Sequence, residues 1–148
     1  VYKRQVQVIP VVSFPSVLDD CIDFLGREGV RAVGSHPGDS REYVLLWLGG
    51  GRQLSKVTAE VTINFEVWVP KQRAAADGEA EALAERVRAL VAGRAFHHEE
   101  GITTYSWEWP SMPANMPPGE DLDAANWVRV VFNGQVVVRG QRFTPKQV

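Results

Sequence analysis

Residues 57–69 constrain the fold more than any other part of the sequence, because apolar side chains alternate there with mostly polar ones for thirteen residues. A two-residue period is typical of a β-strand with one buried and one exposed face. At about 3.3 Å per residue the strand would be about 40 Å long, well beyond the usual five or six residues. We therefore expect it to extend beyond the sheet of its own domain and to pair with a neighbouring chain.

Two amphipathic helices are predicted on either side of this strand. The first follows Ser16, a favoured N-cap residue, runs for about four turns and stops at Gly29. The second begins at Asp77 or Gly78 and stops at Gly93. Their apolar stripes consist of Leu18, Cys21, Ile22 and Leu25 in the first helix, and Ala80, Leu83, Ala84, Val87, Leu90 and Val91 in the second.

Shorter apolar runs predict the remaining strands. The glycines at 49–51 end one such run and indicate a hairpin turn, whereas the proline-rich stretch 110–123 is typical of a long loop. Asn133-Gly134 divides the last apolar stretch and is either a hairpin turn or a bulge in one continuous strand. The predicted strands are 30–33, 43–48, 103–109, 127–132 and 135–139.

Links of hairpin length favour a mainly antiparallel sheet, and both helices would cover one of its faces. The predicted fold is therefore a two-layer α+β domain that spans residues 1–148. It would begin with an extended N-terminal segment, 1–13, and contain the proline-rich loop at 110–125.

Composition and motifs argue against several classes of function. The net charge is -2 and the basic residues are not clustered, whereas a nucleic-acid-binding surface needs clustered lysine and arginine. No run of about 18 apolar residues predicts a transmembrane helix. Cys21, the single cysteine, lies in the first apolar stripe and is expected to be a buried structural thiol.

The cluster His97-His98-Glu99-Glu100 is the strongest candidate for metal binding, but adjacent side chains do not easily converge on one ion. The glycines at 49–51 lack the lysine and serine or threonine of a phosphate loop. We therefore expect no catalytic site, no metal and no cofactor, and a protein that is not an enzyme.

Outward-facing tryptophans point to a protein interface. Trp68 occupies the polar face of the long strand near Glu66, and Trp109 borders the proline-rich segment. We expect these three residues to contact a partner, together with residues in the turn-rich loop after the short second strand. The alternative is that the tryptophans form a second small core beneath a loop. The loop residues expected at the interface are His36, Asp39 and Arg41.

Several features occur in an order and spacing that resembles the tail terminator proteins of long-tailed bacteriophages (siphophages). No single motif among them is specific, and the segment 102–123 is longer than the family pattern. The features are Phe14-Pro15-Ser16 before the first helix, His36-Pro37, the run 43–48 into glycines 49–51, Glu60-Val61-Thr62-Ile63 leading to Trp68, the alanine-rich second helix, Pro110 with Pro113, and Val136-Val137-Val138-Arg139-Gly140.

The resemblance implies a structural virion protein that forms a hexameric ring on the head-proximal end of the tail tube. Its partners would be its own copies, the tail tube protein and the head-tail connector or stopper protein. DNA would pass through the lumen without specific binding, and no membrane would be involved. Another neck or tail completion protein remains an alternative, as does a small ligand-binding or enzymatic α+β domain.

We predict that replacing His97, His98 and Glu100 together by alanine leaves folding and assembly unchanged, because these residues are expected to lie in a solvated loop. Circular dichroism and size-exclusion chromatography check the fold and the assembly. Stoichiometric metal in the purified parent protein, lost in the triple variant, would show that the cluster is a metal site.

Overall fold

The computed structural model describes residues 11–73, 75–94, 102–119 and 126–143. Its two helices and mainly antiparallel strands confirm the predicted α+β class, and the order of elements is the one expected from the sequence. The elements are β1 (Val11–Ser13), α1 (Val17–Arg27), β2 (Ala32–Val33), β3 (Tyr43–Gln53), β4 (Thr58–Pro70), α2 (Ala76–Arg94), β5 (Thr104–Asn115), β6 (Trp127–Arg139) and β7 (Gln141–Phe143).

The main sheet has the order β2-β3-β4-β6-β5, and β4 occupies its centre. The long strand predicted at 57–69 is confirmed with its ends shifted by one residue. Its expected pairing with a neighbouring chain is wrong, because both of its edges are already used. β3 pairs with it from Ala59 to Trp68, and β6 pairs along its whole length. β3 and β6 are long as well, with 11 and 13 residues.

β3 continues through the glycines at 49–51, so the hairpin turn predicted there is wrong, and the chain turns at residues 54–57 instead. The glycines allow a bulge in β3 and a close approach of its backbone to β4. Gly50 has a φ of 106°, and a Cβ on Gly51 would lie 2.3 Å from the carbonyl oxygen of Glu60. Side chains at these two positions would therefore be strained or would clash.

β6 is one continuous strand through Asn133-Gly134, so the hairpin interpretation of this pair is wrong. The two residues pair with consecutive residues of β4, and the irregular register lies in β5 on the other side. A Cβ on Gly134 would lie 2.7 Å from the Trp109 ring and 2.8 Å from the Trp107 ring. This glycine therefore makes room for two indoles and does not form a turn.

β5 runs through Pro110 and Pro113 to Asn115, which corrects the loop predicted from residue 110. Proline has no backbone N–H, but an outer strand has one edge that needs no ladder partner. The register between β5 and β6 also shifts on both sides of Ser111, which accommodates the two prolines. Residues 116–119 have no regular structure, and 120–125 lie outside the described residues.

Both helices pack on one face of the main sheet, as predicted. Ser16 caps α1, whose length is 11 residues, or about three turns rather than four, and its Oγ accepts the N–H of Asp19 at 3.1 Å. Cys21 is 2% exposed, and burial raises the pKa of its thiol to about 12. A buried ion pair, Arg94 Nη2 to Asp20 Oδ1 at 3.1 Å, joins the two helices.

Phe65 is fully buried at the centre of this core and stacks on Phe132, with ring centroids 4.7 Å apart. The helix face above it contains Val87, which is also fully buried, and the partly buried Leu83 and Leu90.

We predict that Phe65→Ala lowers the free energy of unfolding by about 3–5 kcal/mol, because it leaves a cavity in a packed core. Val131→Ala is the matched control, since Val131 is half-buried on the opposite face of the neighbouring strand. Urea unfolding measures both variants. A loss below about 0.5 kcal/mol for Phe65→Ala would be incompatible with this packing.

Candidate functional site: outer strands and open face of the sheet

The face of the sheet opposite the helices is lined mainly by polar side chains, and we refer to it as the open face. The strand register places Trp47, Asn64, Asn133 and Ser111 in one row across four strands. These residues line a hollow of about 290 Å³. The Oδ1 atom of Asn133 is buried and has no hydrogen-bond partner among the described residues. Because this atom is buried, it is not accessible to a partner or ligand in the hollow.

Glu66 lies beside this row and links three strands. One of its carboxylate oxygens accepts the Trp47 indole N–H at 2.7 Å, and the other lies 3.3 Å from Arg129 Nη1. The Arg129 Nε atom in turn donates to the carbonyl oxygen of Met116 at 2.9 Å, just beyond β5. Only 15% of the Glu66 side chain is exposed. This residue, expected at an interface, forms a hydrogen-bond network within the subunit.

Trp68 is 2% exposed, so the expectation that it lies on an outward surface is wrong. Its ring stacks on Tyr43 at 5.9 Å, and the rings of Trp127 and His36 approach edge-on at 6.0 Å and 5.2 Å. These residues and Leu45 form a second small core, which was the alternative interpretation. It lies next to the loop that contains His36, not the proline-rich segment.

The loop between β2 and β3 contains the other predicted contact residues. The Asp39 carboxylate accepts two hydrogen bonds from the Arg31 guanidinium, at 2.8 Å and 2.6 Å, and one from the backbone N–H of Arg41 at 3.1 Å. The hydrogen bonds from Arg31 lower the pKa of Asp39 to about 2. His36 Nδ1 lies 2.6 Å from the hydroxyl of Tyr43, whose pKa burial raises to about 12. The loop is thus held in shape by hydrogen bonds to Arg31 and Tyr43, which flank it, and by the contact between Asp39 and Arg41.

Trp109 is half-buried on the helix side of the sheet and not on the open face. It stacks on Trp107 at 5.4 Å and also packs near Phe65, with ring centroids 6.1 Å apart. The Arg88 guanidinium of α2 lies 5.7 Å from the centroid of the Trp109 ring. Trp109 therefore extends the main core towards the outer strand β5, with only part of its surface free.

Sequence reasoning missed the exposed apolar side chains of the two outer long strands. Among the described residues seven large apolar side chains are exposed, and six of them belong to β3, to β5 or to the residues directly after them. Three of the six, Leu48, Met112 and Met116, are directly followed by a glycine or a proline in the sequence. They are Trp47, Leu48 and Leu54 at β3, and Tyr105, Met112 and Met116 at β5.

Within the described part of the chain, no group of three or more potential metal-binding side chains comes together, and no helix is long and apolar enough to cross a membrane. The predicted solvated cluster His97-His98-Glu99-Glu100 lies outside the described residues. No protein-family model matches this sequence, and no curated protein sequence matches it significantly.

We predict that Trp68→Glu unfolds the subunit or lowers its stability by about 4 kcal/mol or more, because it removes a packed indole and buries a carboxylate. Sequence reasoning alone gives the opposite expectation, a folded monomer. Leu48→Glu is the control, since Leu48 is 56% exposed. Urea unfolding monitored by circular dichroism compares the two variants. Equal stability of both would place Trp68 outside the second core.

Proposed function

We propose that this chain is a structural virion protein that assembles with its own copies into a ring, as a tail-terminator-like cap of a siphophage tail tube. The order and spacing of its sequence features support the family. The observation that carries the assembly role is that six of the seven exposed large apolar side chains among the described residues lie on or directly after β3 and β5, the two outer long strands of the main sheet. Protein contact surfaces are enriched in aromatic residues and methionine, and four of these six side chains are of those types.

The arrangement favours a ring over a symmetric dimer. β3 and β5 lie on opposite sides of the central pair of strands, so a copy can contact one neighbour at each side. Contacts between two different surfaces repeat from copy to copy and close into a ring when the rotation allows. We propose six copies, with the tail tube protein on one side of the ring and the connector or stopper protein on the other.

The charge of the chain suits a lumen through which DNA passes. The net charge is -2, and a strongly basic lining would hold the phosphate backbone instead of letting it move. The proposed location is the head-proximal end of the tail, where the ring ends tube growth and presents a surface for head joining. Another neck or tail completion protein would share this chemistry.

The hollow on the open face favours a second candidate, a small ligand-binding domain. Its volume of about 290 Å³ is near the lower limit of ligand pockets. The amide of Asn64 would supply hydrogen bonds, and the indole of Trp47 would supply a stacking surface. A monomer that binds a small polar molecule in this hollow would support this candidate against the ring.

We predict that the purified protein forms rings and caps purified siphophage tail tubes at one end, because each copy has two separate apolar edges. Native mass spectrometry gives the number of copies, and negative-stain electron microscopy shows rings and capped tubes. A protein that stays monomeric at about 100 μM, and that leaves tube ends uncapped, would contradict the proposed function.

A further inference from the structure

We infer that the ring is built by docking the β3 edge of one copy against the β5 edge of the next copy. The β3 edge comprises residues 46–56, and the β5 edge comprises residues 104–116. The inference rests on the proposed function and names the two surfaces in contact. It is supported by the uncovered outer side of the β3 edge, by the apolar side chains of both edges and by their opposite charge.

The two edges differ in the backbone that they offer. β2 pairs with β3 only at Val44 and Leu45, so among the described residues no strand covers the outer side of residues 46–53. This open stretch is about 26 Å long and contains no proline. The β5 edge contains Pro110 and Pro113, which prevent a continuous hydrogen-bonded ladder. Contact between the edges must therefore depend mainly on side chains.

Each edge carries three exposed apolar side chains. Trp47, Leu48 and Leu54 are 45%, 56% and 45% exposed at the β3 edge. Tryptophan and tyrosine are enriched among residues that dominate binding energy, and methionine adapts its shape to a facing surface. Trp47 lies on the open face and Leu48 on the opposite face, so the facing set has to contact both sides of the β3 edge. The facing set at the β5 edge is Tyr105, Met112 and Met116, which are 45%, 53% and 50% exposed.

Charge determines which edges meet. Arg52 and Lys56 are the charged residues of the β3 edge, and the β5 edge has a single charged residue, Glu108. All three are exposed. The Arg52 Nε atom lies 3.6 Å from a carboxylate oxygen of Glu60, and the Arg52 side chain is still 72% exposed. Two β3 edges would repel each other, whereas β3 against β5 brings opposite charges together.

Disulfide trapping between copies tests this pairing. The experiment mixes a Leu48→Cys variant with an isotope-labelled Met112→Cys variant under mild oxidation. The native thiol, Cys21, is buried with a raised pKa and will not compete. We expect mixed dimers to exceed either homodimer by about tenfold, because a heterologous contact joins two different edges. Glu81→Cys, on an exposed position of α2, is the control that should cross-link with neither variant.

Charge reversal supplies the second measurement. The double variant R52E/K56E should assemble less well than the parent, and so should E108K, whereas the triple variant combining all three should recover much of the assembly. Leu48→Cys homodimers that form as readily as mixed dimers would overturn the inference in favour of a symmetric contact. Absence of mixed dimers would overturn it outright, and so would a triple variant that assembles no better than the two charge-reversal variants.

The outcomes separate this inference from the proposed function. If the parent forms rings that cap tail tubes but no mixed dimer is trapped, the edge contact is wrong and the function stands. If mixed dimers form and link into rings that leave tail tubes uncapped, the edge contact stands and the tail function is wrong. A parent protein that is monomeric and yields no mixed dimer contradicts both.

Discussion

The pairing of β4 on both of its edges is the interaction on which the rest of the structure depends. β4 contributes one residue to nearly every row of the sheet, and its apolar face places Ile63, Phe65 and Val67 under the helices. Because its backbone groups are satisfied by β3 and β6, the long strand is not an aggregation hazard. The strand edges with unpaired backbone groups lie further out in the sheet, on β3 and β5.

This arrangement explains the use of glycine and proline in the outer strands. β3 has to follow β4 for eleven residues, and Gly50 and Gly51 let it bulge and approach the backbone of its neighbour. β5 is an edge strand of the sheet, and Pro110 and Pro113 limit the pairing of a further strand with its outer side. Residues that usually mark turns thus shape two strands, so that β3 keeps an open backbone edge whereas prolines interrupt the edge of β5.

The candidate site could be predicted only in part. Glu66 and Trp68 were placed correctly on the face opposite the main core, but Trp68 is covered by aromatic rings from β3, β6 and a loop. The Glu66 carboxylate accepts hydrogen bonds from Trp47 and Arg129, which lie 19 and 63 residues away in the sequence. Alternation along one strand says which way a side chain points, but it does not say what covers that face.

The sequence by itself determined the α+β class, the long amphipathic strand, the cap at Ser16, the burial of Cys21 and both helices, because these depend on local spacing and capping. Only the tertiary structure decided that β4 is central, that glycines 49–51 and Asn133-Gly134 lie within strands, and that β5 passes through prolines. These features depend on neighbours that are distant in sequence. Glycine and proline normally destabilise a strand, but they are tolerated where packing against a neighbour or an open edge offsets that destabilisation.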